Sequence, residues 1–220
     1  MKKIFLLFLL FLPYWLFAQP DSTEVTIKLP DDPDVRILSR YVGVDLFKLV
    51  AYGTPDENSV YNLMIKEFKK GQVVETDTLL QFGDIGRIMK MGDKKVTIPD
   101  HRKYACLGKD RDSLLIQFTG KYEHGKYHLT ITYPGLIFPR KFKGKRNYHF
   151  RRVHPTNNER FNIPYNKAFP VLVYAPAPEK VAEGYQFQRT DAENVEKWYS
   201  AYNLKHYYVI YLLLQYSSDI

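Results

Sequence analysis

Apolar and polar residues alternate along most of this chain, and the period is two. The clearest case is residues 127–133, where Tyr127, Leu129, Ile131 and Tyr133 point to one face and His128, Thr130 and Thr132 to the other. Upstream, residues 114–119 (Leu-Leu-Ile-Gln-Phe-Thr) form a short run rich in strand formers. Gly125 between the two can supply the positive φ of a hairpin turn. A lone hairpin is marginal in water, so this one needs flanking strands and a partner layer.

The rest of the chain supplies them. Residues 25–29 alternate and end at Pro30-Asp31-Asp32-Pro33-Asp34, read as a turn. Residues 42–52 predict a longer strand. Residues 61–68 and 73–80 predict a second hairpin with Gly71 at its tip, and 87–91 with 95–98 a short one across Gly92-Asp93. Residues 103–107 with 113–119, and 136–142 with 148–153, read as two more hairpins, the last turning at Gly144-Lys145-Arg146-Asn147. Residues 154–170, with three prolines and four asparagines, read as a long loop; 171–174 is a short apolar strand. Strands this closely spaced argue for a mainly β, antiparallel, sandwich-like domain of about ten or more short strands.

The period changes once, near the C-terminus. Thr190-Asp191-Ala192-Glu193 has the form of a capping box, and Val195, Trp198, Tyr199 and Tyr202 follow at i, i+3, i+4 and i+7. One amphipathic helix is expected near residues 191–203, closed by Asn203. Residues 206–216 are too uniformly apolar to alternate and predict a strand buried on both faces.

The first residues belong to none of this. Lys2 and Lys3 precede the apolar run 4–12, Pro13 interrupts it, and Ala18 follows. That is the layout of a secretory signal peptide over residues 1–18, with Gln19 as the first mature residue. The run falls short of the roughly 20 residues a spanning helix needs, and the mature chain carries no transmembrane segment. The domain reading is therefore a signal peptide at 1–18, a tail and first strand at 19–34, and one β-rich domain at 35–220, with a subdivision point near 154–170. The protein is expected in the periplasm or outside the cell. The single cysteine, Cys106, excludes an intramolecular disulfide, and no cysteine stands at the new N-terminus to make a lipoprotein.

Charge alters the picture in one place. The net charge is +8, and loss of Lys2 and Lys3 leaves 8 − 2 = +6. Residues 140–152 hold seven lysines and arginines and no acid, interleaved with Phe142, Tyr148 and Phe150. Lys141, Lys143, Lys145, Arg146 and Arg151 are the candidate ligand-binding face. A basic–aromatic strand suits single-stranded nucleic acid, but export argues against that partner. An anionic glycan, a lipid phosphate or an acidic protein fits the compartment better. The plain alternative is a solvated strand face with its aromatics in the core.

Catalytic signals are absent. His124 and His128 straddle a glycine turn, and His149 and His154 flank Arg151-Arg152, so no metal site is expected. There is no Gly-x-Ser-x-Gly and no glycine-rich phosphate loop, and no cofactor is expected. The favoured function is a non-enzymatic cell-envelope binding or structural module. The alternative is a secreted hydrolase of glycan or cell-wall material whose carboxylates are assembled by the fold.

Overall fold

The computed structural model describes residues 22–52, 59–82, 88–91, 94–97, 113–133, 136–153, 160–176 and 194–216. The expected leader, the capping box at 190–193, the proposed partner strand 103–107 and Cys106 all lie outside the described residues.

The fold is mainly β, two antiparallel sheets in a sandwich-like arrangement. One sheet has six strands: β1 (Ser22–Lys28), β2 (Val44–Tyr52), β7 (Ser113–Glu123), β8 (Lys126–Tyr133), β9 (Leu136–Lys143) and β11 (Phe161–Pro164). Their order is β11-β1-β2-β7-β8-β9. The other has seven: β3 (Ser59–Lys69), β4 (Gln72–Phe82), β5 (Ile88–Met91), β6 (Lys94–Thr97), β10 (Tyr148–Arg152), β12 (Phe169–Pro176) and β13 (His206–Tyr216). These run β10-β12-β13-β3-β4-β5-β6.

The main core lies between the sheets. Phe47 and Leu49 of β2, Ile116 and Phe118 of β7, and Leu129 and Ile131 of β8 meet Leu63 and Ile65 of β3 and Ile210 and Leu212 of β13. The period-two reading of residues 127–133 holds: Tyr127, Leu129, Ile131 and Tyr133 are all buried. The predicted hairpins at Gly125 and Gly71 form, with both glycines at positive φ behind His124 and Lys70, which are also left-handed.

A second, smaller core covers the outer face of the seven-stranded sheet. Tyr207, Val209 and Tyr211 of β13 and Val173 and Ala175 of β12 pack there against Val195 and Trp198. Strand β13 is thus buried on both faces, which explains why its sequence does not alternate. The predicted C-terminal helix is a 3₁₀ turn, Val195–Lys197, running into a short helix, Trp198–Tyr202. Asn203 closes it in the left-handed conformation. The Tyr207 hydroxyl donates to the Val195 carbonyl at 2.7 Å and ties the turn to the sheet.

Three expectations need correction. Residues 30–34 do not simply turn: they cap a helix, α1 (Pro33–Tyr41). The Asp32 carboxylate accepts from the backbone N–H groups of Asp34 and Val35, and Pro33 takes the first helical position, where its missing N–H costs nothing. The stretch 154–170 is not all loop, because Phe161–Pro164 pairs with β1 as an edge strand. Finally, residues 136–142 and 148–153 do not pair with each other. Strand β9 pairs with β8, and β10 pairs with β12 in the opposite sheet.

The cause of this last crossing is local. Gly144 donates its N–H to the carbonyl of Gly125 at 3.0 Å, and a side chain on it would strike the backbone of Lys126 and Tyr127. The chain is therefore pinned under the tip of the β7–β8 hairpin and steps from one layer to the other. The Tyr174 hydroxyl holds the corner, bonded to both the N–H and the carbonyl of Lys145 at 3.1 Å.

Candidate functional site

Where the crossing delivers β10, a cleft of about 490 Å³ opens between it, the end of β1, α1 and the start of β2. Arg36 and Arg40 reach it from α1, one helical turn apart, and Arg151 and Arg152 from β10. His149, Ser39 and Asp45 line it as well. Four arginines thus line a space whose described lining includes one carboxylate.

Both oxygens of that carboxylate have partners within the protein. Asp45 Oδ2 accepts from the Tyr127 hydroxyl at 2.5 Å and from the Phe150 backbone N–H at 2.8 Å; Oδ1 lies 3.3 Å from His149 Nδ1. Asp45 on β2 therefore joins the two layers, because Phe150 sits on β10, an edge strand of the other sheet. The Tyr127 ring can reach it because Gly120 stands directly opposite Asp45 on β7. A Cβ at Gly120 would collide with the Tyr127 ring and hydroxyl. Burial first, and Asp45 second, push the Tyr127 hydroxyl far above its ordinary pKa, so it stays a hydrogen-bond donor at any physiological pH.

Below this bond lies an aromatic cluster. The Tyr127 ring stacks on Phe142 at 5.4 Å between centroids, meets Phe150 edge-on at 5.2 Å and leans on Tyr174 at 4.5 Å. Such pairs add to the burial energy of the rings themselves. The cluster backs the cleft through Phe150, and His149, Arg151 and Arg152 are carried by the same strand, β10.

The cationic side chains differ in their freedom. Arg151 donates from Nη1 to the Pro176 carbonyl at 2.6 Å, and Arg152 from Nη1 to the Ile27 carbonyl at 3.3 Å. Burial lowers both guanidinium pKa values, yet guanidinium stays charged in proteins. The hydrogen bond to Asp45 raises the His149 pKa, against desolvation and the neighbouring Arg151. With Nδ1 turned to Asp45, Nε2 is the nitrogen left for a ligand. Ser39 spends its hydroxyl proton on the Arg36 carbonyl at 2.9 Å, so it is not set up as a nucleophile for His149.

The five residues singled out from sequence are not brought together. Lys141 and Lys143 are exposed on β9, in register with His128 and Lys126 on the outer face of the six-stranded sheet. Lys145 lies at the corner, its Nζ 5.1 Å above the Tyr148 ring, and Arg146 is exposed beside it. Only Arg151 lines the cleft. Phe142, Tyr148 and Phe150 pack on the main core, as the alternation requires. Sequence reasoning missed Arg36, Arg40 and Asp45. The signal for the first two was present: Asp32-Pro33 is a helix start, and arginines four apart after it share a face. Nothing local marks Asp45.

Among the described residues no group of three or more His, Cys, Asp or Glu could hold a metal ion. No helix among them is long and apolar enough to cross a membrane. No protein-family model matches the chain, and no curated protein is significantly similar to it.

Proposed function

We propose that this chain is an exported, non-enzymatic cell-envelope module that binds an anionic partner, and that the partner's charged group enters the cleft formed by Arg36, Arg40, His149, Arg151 and Arg152. The observation that carries this reading is the imbalance of the cleft: four arginines and a histidine of raised pKa against one carboxylate whose oxygens are already bonded inside the protein. Guanidinium forks recognise phosphate, sulfate and carboxylate oxygens in pairs, which lysines on an open strand do not. A glycan hydrolase would need two facing carboxylates, and among the described residues the cleft lining holds one, Asp45. The binding reading is therefore preferred.

Salt elution from a heparin-like matrix tests it. Arg36→Gln with Arg40→Gln should elute at markedly lower salt than wild type. Lys143→Gln with Lys145→Gln and Arg146→Gln should shift less, since those charges stand apart on open surface and are screened over about 8 Å at physiological ionic strength. Retention should also strengthen as the pH falls through the His149 pKa. The opposite ranking of the two variants, or no retention of wild type at low salt, overturns the proposal.

A further inference from the structure

Helix α1 is inside out. At about 100° per residue, Val35, Leu38 and Val42 fall along one line with Ile37 and Tyr41 beside it and Asp34 among them in the first turn, while Arg36, Ser39 and Arg40 fill the remaining arc. A surface helix ordinarily buries its apolar stripe. Here the polar arc turns to the protein and lines the cleft, and no residue of the helix is buried. Ile37 is 66% exposed, Leu38 61% and Tyr41 88%. A run of large apolar side chains presented together to solvent marks a surface with a partner.

We infer that this face docks on an anionic lipid surface. The helix is already complete without a partner: Asp32 caps its start, and the Val42 and Gly43 N–H groups close its end on the Leu38 and Arg40 carbonyls. It is about 14 Å long at 1.5 Å per residue, too small a face for the roughly 800 Å² per partner of a standard protein interface. A bilayer interface demands no complementary shape, only an apolar face with polar groups behind it. The charges are placed for that. Arg40 borders Ile37 and Tyr41, and Arg36, Arg151 and Arg152 lie behind them, on the side that headgroup phosphates would meet. The acids Asp31, Asp32 and Asp34 gather at the opposite end, so the Arg40–Tyr41–Val42 end sits deepest. Tyr41, the most exposed of these residues, has the amphipathic ring favoured at membrane interfaces. This inference does not require a free anion to bind in the cleft.

Vesicle flotation tests it, using phosphatidylcholine vesicles with and without about a quarter phosphatidylglycerol. All proteins compared carry the same N-terminus. Wild type should float with the anionic vesicles and much less with the neutral ones. Ile37→Ser with Leu38→Ser keeps the charge and should cut partitioning on the order of tenfold or more. Ile137→Ser, at an equally exposed apolar residue on β9, should leave it unchanged. The Ile37/Leu38 variant should also keep wild-type retention on the heparin-like matrix, whereas failure of the cleft reading appears only in the Arg36/Arg40 variant. Wild type that stays with the soluble fraction, or flotation indifferent to the Ile37/Leu38 change, overturns the inference. So does a wild-type dimer in light scattering that the same variant makes monomeric, since the face would then meet a second copy.

Discussion

The two short helical segments among the described residues are built on opposite plans. The turn at 195–202 lays Val195 and Trp198 against β13 and leaves its polar residues outside; α1 lays Arg36 and Ser39 against the protein and leaves its apolar residues outside. Both are amphipathic in sequence. Amphipathicity therefore fixes that a helix has two faces, and the surroundings decide which one is turned inward. For 195–202 the surroundings are the bare outer face of a sheet, where Tyr207, Val209 and Tyr211 would otherwise meet water. For α1 they are a cleft already supplied with a carboxylate, backbone carbonyls and two strand arginines.

The sharpest way to break this comparison is to remove one apolar side chain from each segment. Trp198 is 1% exposed and contacts Tyr207 at 6.0 Å between centroids. Trp198→Ala should cost about 3–5 kcal/mol in denaturant unfolding. Leu38→Ala should change stability by no more than about 0.5 kcal/mol. Comparable losses would mean that α1 is covered in solution and that its outward face is not free to dock.

Next in size is the bond that positions the cleft. Asp45→Ala strands the buried Tyr127 hydroxyl and the Phe150 N–H together, and should cost about 2–3 kcal/mol. Tyr127→Phe removes only one partner and should cost less. Equal costs would show that the Phe150 N–H finds another acceptor. They would also show that the two sheets are not joined there by Asp45.

How much of this was legible beforehand follows from the same contrast. Alternation identifies strands and their inward residues, and it placed Phe142, Tyr148 and Phe150 in the core correctly. It could not tell that β9 and β10 belong to different sheets, because both edges face one core and the pattern is the same either way. The crossing depends on Gly144 meeting the hairpin tip, a contact between residues that the alternation treats separately. The basic cluster at 140–152 was visible as composition, but its partition into outer face, corner and cleft was not. The cleft itself draws on β1, α1, β2 and β10, whose approach is a matter of topology. Helix α1 was legible in Asp32-Pro33 and was hidden by reading that dipeptide as a turn.

Two histidine–carboxylate pairs should separate by pH. His149 beside Asp45 has a raised pKa, so its contribution to stability is full below about pH 6.5 and is lost as pH rises through the folded value. His206 donates from Nε2 to Glu67 at 2.8 Å, yet burial pulls its pKa down more than Glu67 restores it. Its neutral form is the one that fits, so its contribution is present above about pH 6.5 and is lost as pH falls through the folded value. Burial raises the Glu67 carboxyl, and hydrogen bonds from Lys69 first and His206 second more than reverse that. Of the two partners, Lys69 acts on Glu67 more strongly. The stability deficit of His149→Asn relative to wild type should shrink from pH 6 to pH 8, and that of His206→Asn should shrink from pH 8 to pH 5. Parallel pH profiles for the two variants would show that the two sites are not electrostatically opposite.

The smallest expected effect concerns the corner and the open strand. Lys143→Glu with Lys145→Glu and Arg146→Glu reverses three exposed charges. The backbone of Lys145 holds the crossing through Tyr174, while its side chain only rests over Tyr148 with a long 3.4 Å contact to that hydroxyl. Stability should therefore stay within about 0.5 kcal/mol of wild type, as exposed charge changes usually do. The aromatic cluster of Tyr127, Phe142, Phe150 and Tyr174 should keep its near-ultraviolet circular dichroism. A loss well beyond that, with a changed aromatic signal, would show that the Lys145 side chain takes part in holding the crossing. The cleft would then depend on a residue that does not line it.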